Sequence, residues 1–144
     1  MFDRQEAHVV WERRQAELWE RIFQVTQDVV TLVEALDDSV GYAVVRQELV
    51  RSATGVGAEL VRANAADSAG DFERHVKEAR MKAIESDYWL RLVYALQQQE
   101  NVQQDLSSVI SQYSAIITLL QRFLSHTQGE SDVISRHTKG PKVS

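Results

Sequence analysis

Apolar residues three and four apart recur over four separate stretches with only a few residues between them, and this leaves the chain little choice of fold. In the first stretch Trp11, Leu18, Ile22, Val25, Val29, Leu32 and Leu36 fall on one face of a helix. The spacing predicts helix 1 over residues 4–36. Asp37-Asp38-Ser39 then offers short side-chain oxygens that accept from the free amides of a following helix, which is expected over 40–66 and anchored by Tyr42, Val45, Leu49, Val56 and Leu60. Ser68 with Asp71 three residues later forms a capping-box pattern that opens helix 3, residues 69–98, with its stripe at Phe72, Val76, Ala79, Ala83, Ser86, Leu90 and Val93. Asn101 with Gln104 is a weaker cap for helix 4, residues 102–127, which carries Val102, Leu106, Val109, Tyr113, Ile116, Leu120 and Phe123. Gly129 is expected to close it, leaving 129–144 as a flexible polar tail beyond a single domain, 1–128. Short connections force consecutive helices side by side, so the expected fold is all-α, an up-down-up-down antiparallel four-helix bundle.

Two features depart from a minimal bundle. The middle of helix 2, Ser52-Ala53-Thr54-Gly55-Val56-Gly57-Ala58, has almost no side-chain bulk. Each glycine there costs roughly 1 kcal/mol relative to alanine, and close approach of a neighbouring helix backbone is the expected compensation. Helices 1 and 4 also carry more apolar surface than one seam needs. The second stripes, Ala16, Trp19, Phe23, Val30 and Val33 on helix 1 and Ile110, Ile117 and Leu124 on helix 4, point to either a broad core face or a subunit interface. Trp19, Phe23, Val30, Ile110, Ile117 and Leu124 are the candidate interface residues.

Composition removes several function classes. The chain has 144 residues and no cysteine, which excludes a disulfide scaffold and a thiol nucleophile. The mixed charges of Met1-Phe2-Asp3-Arg4-Gln5-Glu6 do not resemble a secretory signal, so a cytoplasmic protein is expected. No stretch approaches the ~20 apolar residues of a membrane span. Gly55-Val56-Gly57 lacks the strand and third glycine of a dinucleotide fingerprint, and no histidine has a glutamate three residues before it as a di-iron bundle requires. Asp71 and His75, one turn apart, form at most a weak chelating pair; His8, His126 and His137 lie near the chain ends without evident partners. No catalytic residues, metal site or cofactor are therefore expected.

Net charge is −5, and the excess sits in residues 1–40, with four arginines against nine carboxylates. Candidate nucleic-acid or partner contacts are Arg46, Arg51 and Arg62 on helix 2 and Arg74, Lys77, Arg80 and Arg91 on helix 3, joined by Lys82. They are matched by eight carboxylates in the same region, and Glu73/Lys77 and Glu78/Lys82 have the i,i+4 spacing of a solvated face. Binding through counterion release needs a net basic patch, so direct RNA contact requires geometry that segregates the signs. The tail cations Arg136, His137, Lys139 and Lys142 offer a further contact.

Gln47-Glu48-Leu49-Val50-Arg51-Ser52-Ala53, then Asp71-Phe72, Glu78-Ala79-Arg80 and Glu85-Ser86-Asp87-Tyr88-Trp89-Leu90-Arg91-Leu92, resemble the bacterial four-helix bundle proteins encoded in intervening sequences of 23S rRNA genes and, more distantly, the accessory proteins of diversity-generating retroelements. The similarity covers about residues 15–126. Where that family shows an Asn-Ile-Ala-Glu-Gly-like segment, this chain has Glu59-Leu60-Val61-Arg62-Ala63. The resemblance implies a non-enzymatic homopentamer that serves an RNA-linked or reverse-transcriptase system through protein and nucleic-acid contacts. An acidic protein–protein interaction module with no nucleic-acid role is the alternative. Arg51 and Glu85, each inside the motif and beside small residues, are expected to form an ion pair between helices 2 and 3.

Overall fold

The computed structural model describes the backbone of residues 4–138 and the side chains of residues 13–125. Four helices make up the described chain: α1 (Arg4–Glu34), α2 (Val40–Asn64), α3 (Ala69–Leu96) and α4 (Glu100–Thr138). Each packs against its neighbours in sequence, and α1 closes the circuit against α4. The core sits on the predicted stripes: Leu18, Ile22, Val25 and Val29 meet Leu49, Val56, Val76, Leu90, Leu106, Ile116 and Leu120 in one continuous cluster. Trp11 lies outside the residues whose side chains are described.

The helix ends follow their capping chemistry. Ser39 Oγ accepts from the Tyr42 amide at 3.4 Å and Ser68 Oγ from the Asp71 amide at 3.1 Å, each satisfying a donor that the first turn leaves free. The end of α1 is closed from outside. Arg46 reaches back from α2 to donate to the carbonyls of Leu36, at 2.8 Å, and Asp37, and its Nη1 lies 3.1 Å from Asp38. α4 departs from expectation: it starts at Glu100 and continues through Gly129 to Thr138, so residues 129–138 are helical rather than a flexible tail. One glycine costs a helix only about 1 kcal/mol, and the sole proline comes later, at Pro141. Residues 139–144 lie outside the described residues.

α2 and α3 run antiparallel, because Ser52 meets Ser86, Gly55 meets Lys82 and Glu59 meets His75, ascending one helix while descending the other. Small residues line this seam: Ser52, Ala53, Ala79, Ala83 and Ser86 are all buried. The glycines, however, do not admit a neighbouring backbone. A Cβ on Gly55 would stand 2.6 Å from Cδ of Lys82, whose aliphatic stem lies across it, and one on Gly57 would only touch Ile22 Cγ2 at 3.7 Å. Their smallness opens surface on α2 instead.

Inside the core, the Ser52 and Ser86 hydroxyls bond to each other at 2.8 Å. The Tyr113 side chain is buried, yet its hydroxyl has no hydrogen-bond partner among the described residues. Burial pushes its pKa well above the usual phenol value, an effect that the nearby Ser86 hydroxyl opposes and the charge of Asp28 reinforces. An unpaired buried hydroxyl costs free energy, whereas the phenyl ring alone keeps the packing. Tyr113→Phe is therefore expected to leave stability unchanged or raise it by up to ~1 kcal/mol in urea denaturation. Ser86→Ala removes the hydrogen bond across the seam, leaving the Ser52 hydroxyl only the Leu49 carbonyl at 3.1 Å, and is expected to lower stability by about 1 kcal/mol.

Candidate functional site

The polar residues singled out in the sequence are largely engaged at helix ends and along helix surfaces. At the α2–α3 end, the Glu59 side chain is 11% exposed, and its carboxylate accepts from Arg62 Nη1 at 2.6 Å and His75 Nδ1 at 2.8 Å. Arg74 Nη2 lies 3.5 Å from His75 Nε2 and the same distance from Asp71. Since a guanidinium only donates, Nε2 must accept from it, so the ring proton that fits this arrangement is on Nδ1 and points to Glu59. Asp71 and His75 are therefore not brought together as a chelating pair. Among the described residues no group of three His, Asp or Glu is placed to hold a metal ion.

Desolvation raises the Glu59 pKa, but the hydrogen bonds from His75 and Arg62 and the charge of Arg62 outweigh it, so the pKa is lowered from 4.5 overall. The pattern was legible: Glu59 and His75 fall on the apolar stripes of their helices, three residues beyond Val56 and Phe72. A carboxylate whose folded pKa is depressed stabilises the fold above its unfolded pKa, and that contribution disappears as pH falls through the folded value. Glu59→Ala is expected to cost ~2 kcal/mol, less than a fully buried pair because Arg62 is exposed, and to flatten the loss of stability below about pH 4.5 in acid titration of the melting temperature.

The predicted Arg51–Glu85 ion pair does not form. Arg51 is exposed and lies 4.0 Å from Glu48 on its own helix, and Glu85 is also exposed. Their next neighbours, Ser52 and Ser86, occupy the interface instead, because one residue turns a helix by 100°. Ser52 follows Leu49 by three and precedes Val56 by four, a signal that already placed Arg51 outside the stripe. Six of the seven candidate cations have carboxylate partners: Arg46 with Asp38, Arg51 with Glu48, Arg62 with Glu59, Arg74 with Asp71, Lys77 with Glu73 and Arg91 with Asp87. Arg46 is a helix cap rather than a surface cation. Arg80 is half-buried, with its Nε unpaired. The expected Glu78–Lys82 pair is absent, as Lys82 lies over Gly55.

The candidate interface residues divide. Leu124 is buried in the core and Ile110 and Ile117 are half-buried against it, so α4's second stripe belongs to the bundle. Val33, on the second stripe of helix 1, is core as well. Trp19, Phe23 and Val30 are different: they are 40%, 59% and 39% exposed. Trp19 and Phe23 stack with ring centroids 6.3 Å apart. Together with Ile22 and Thr26 they line the α1 side of a groove of about 270 Å³, and Thr54, Gly57, Ala58 and Val61 of α2 complete it. The bulk-free middle of α2 is thus the floor of an open apolar groove, and Val61 at its end is also exposed.

Fold and site together define an all-α helical bundle with an open apolar groove and with six of its seven candidate binding cations paired to carboxylates. The model of the 23S rRNA-intervening sequence protein family matches residues 14–122, and the chain belongs to that family. A crystal structure of a protein of unknown function from the S23 ribosomal protein family of Bacteroides thetaiotaomicron is similar in fold, with a TM-score of 0.67 and 23% identity. The match covers 74% of this chain and 97% of that one. No curated protein matches. Among the described residues no helix is long and apolar enough to cross a membrane.

Proposed function

We propose that this protein is a non-enzymatic, cytoplasmic scaffold: an up-down-up-down bundle that assembles as a homopentamer and serves an RNA-linked or reverse-transcriptase system by holding a protein partner. The observation that carries this reading is the solvent-facing Trp19–Phe23 stack beside a groove floored by Gly57 and Ala58. Large aromatics exposed next to a bulk-free helix surface are a packing face without its partner. Family membership supports the RNA-linked setting, and the short loops support the antiparallel topology.

Nucleic acid is a second surface in this reading, and the pairing of six candidate cations with local carboxylates speaks for the alternative, an acidic protein-interaction module without a nucleic-acid role. Two measurements separate these. Light scattering is expected to return a multiple of the 16.4 kDa chain mass, and a monomer would overturn the scaffold. Retention of single-stranded RNA at ~50 mM salt, falling steeply as salt rises, is expected if nucleic acid is touched directly. No retention leaves the protein partner as the route to function.

A further inference from the structure

A second apolar stripe faces solvent on α3, which does not pack against α1. Met81 and Tyr88, seven residues apart, are 50% and 59% exposed. Phe23 and Val30 on α1 are also seven apart. We infer that the groove between α1 and α2 receives the α3 stripe of a second copy of this chain, head to tail, with Met81 seated beside Phe23 and Tyr88 beside Val30. The inference rests on the oligomeric reading above and names the two surfaces that mate.

Charge on the edges of both surfaces supports this pairing. Glu20 and Glu34 run along the outer edge of α1, exposed and without an ion-pair partner among the described residues, while the far edge on α2 carries Arg51 and Arg62. The α3 stripe has the opposite arrangement. Lys77 and Arg91 flank it on one side and Glu78 and Glu85, exposed and also unpaired among the described residues, flank it on the other. Glu20 and Glu34 are fourteen residues apart, as are Lys77 and Arg91. Laid parallel to α1, an incoming α3 sets its cations along the α1 carboxylates and its own carboxylates along the α2 arginines. This is the flanking-charge logic that fixes partner and direction in packed helices. Laid antiparallel, it sets like charges together.

Height within the bundle agrees. Gly57 lies against Ile22 and Gly55 against Lys82, so with antiparallel neighbours Lys82 stands level with Gln24, Met81 with Phe23 and Tyr88 with Val30. A second copy in the same orientation therefore needs almost no shift along the helix axis to mate. A head-to-tail contact without axial rise closes into a ring when its rotation divides the full circle, whereas a two-fold dimer with its axis across the helices would reverse the direction of the incoming helix.

Phe23→Glu and Tyr88→Glu test this directly, since both side chains are exposed and neither change should alter the helical melt. Each variant alone is expected to be monomeric by light scattering. An equimolar mixture is expected to give a one-to-one heterodimer of twice the chain mass, because one intact groove then meets one intact α3 stripe. Glu34→Arg and Arg91→Glu should each weaken assembly, and their combination in one chain should restore it. An assembly lost in Phe23→Glu but unchanged in Tyr88→Glu would overturn the α3 stripe as the occupant while leaving an oligomeric scaffold intact. A monomeric wild-type chain would overturn both.

Discussion

The seam between α2 and α3 is the constraint on which the rest of the bundle depends. Its residues are small, and small residues bring helix axes together at the expense of side-chain contact area. Ser52 and Ser86 recover part of that loss by hydrogen bonding across the seam, which also fixes the rotation of each helix about its axis. Once that rotation is set, the other faces of both helices are set with it. Glu59 turns toward His75, Lys82 lies over Gly55, Gly57 and Ala58 face outward beside α1, and Tyr88 is held in solvent. The open groove and the exposed stripe follow from how α2 and α3 are keyed.

Arg46 shows how the same economy works at the other end. α1 finishes at Glu34, and Asp37 and Asp38 follow, so acidic side chains stand near carbonyls that carry the negative end of the helix dipole. A single arginine from α2 donates to Leu36 and Asp37 and pairs with Asp38, neutralising that end and fastening the first turns of α2 to it. A residue that resembled a nucleic-acid contact by type is a structural cap by position. One of the nine carboxylates that make the first segment acidic, Asp38, is thereby paired at the protein surface.

Much of the architecture was legible because helical periodicity repeats and so averages over its own exceptions: nearly every residue of the four primary stripes is buried, and Ser39 and Ser68 cap where their chemistry said they should. No such averaging protects a feature that depends on one residue. Arg51 and Glu85 stand one position from Ser52 and Ser86, and one position carries a side chain about a quarter-turn from the interface to solvent. Ending α4 at Gly129 gave a local propensity of about 1 kcal/mol authority over a helix with a long run of favourable turns. The meaning of Gly55 and Gly57 was out of reach for another reason: a lack of bulk shows that something is admitted, and only the neighbours show whether it is a backbone, a lysine stem or open space.

The two unpartnered apolar surfaces bear on what kind of assembly the chain can make. A surface that mates with itself needs a single patch and produces a closed pair, after which nothing apolar is left over. Here α1 with α2 offers a concave, bulk-free surface and α3 a convex one, on helices that do not touch. Surfaces of unlike shape do not pair with themselves, so the assembly proposed above is one in which each copy satisfies one neighbour on either side, which ends only when a ring closes. In such a ring the acidic α1 edge is covered by the cations of α3, and the net charge left for solvent is carried elsewhere. The −5 of the chain then describes the partner-facing surface of an assembly less well than it describes the isolated protomer.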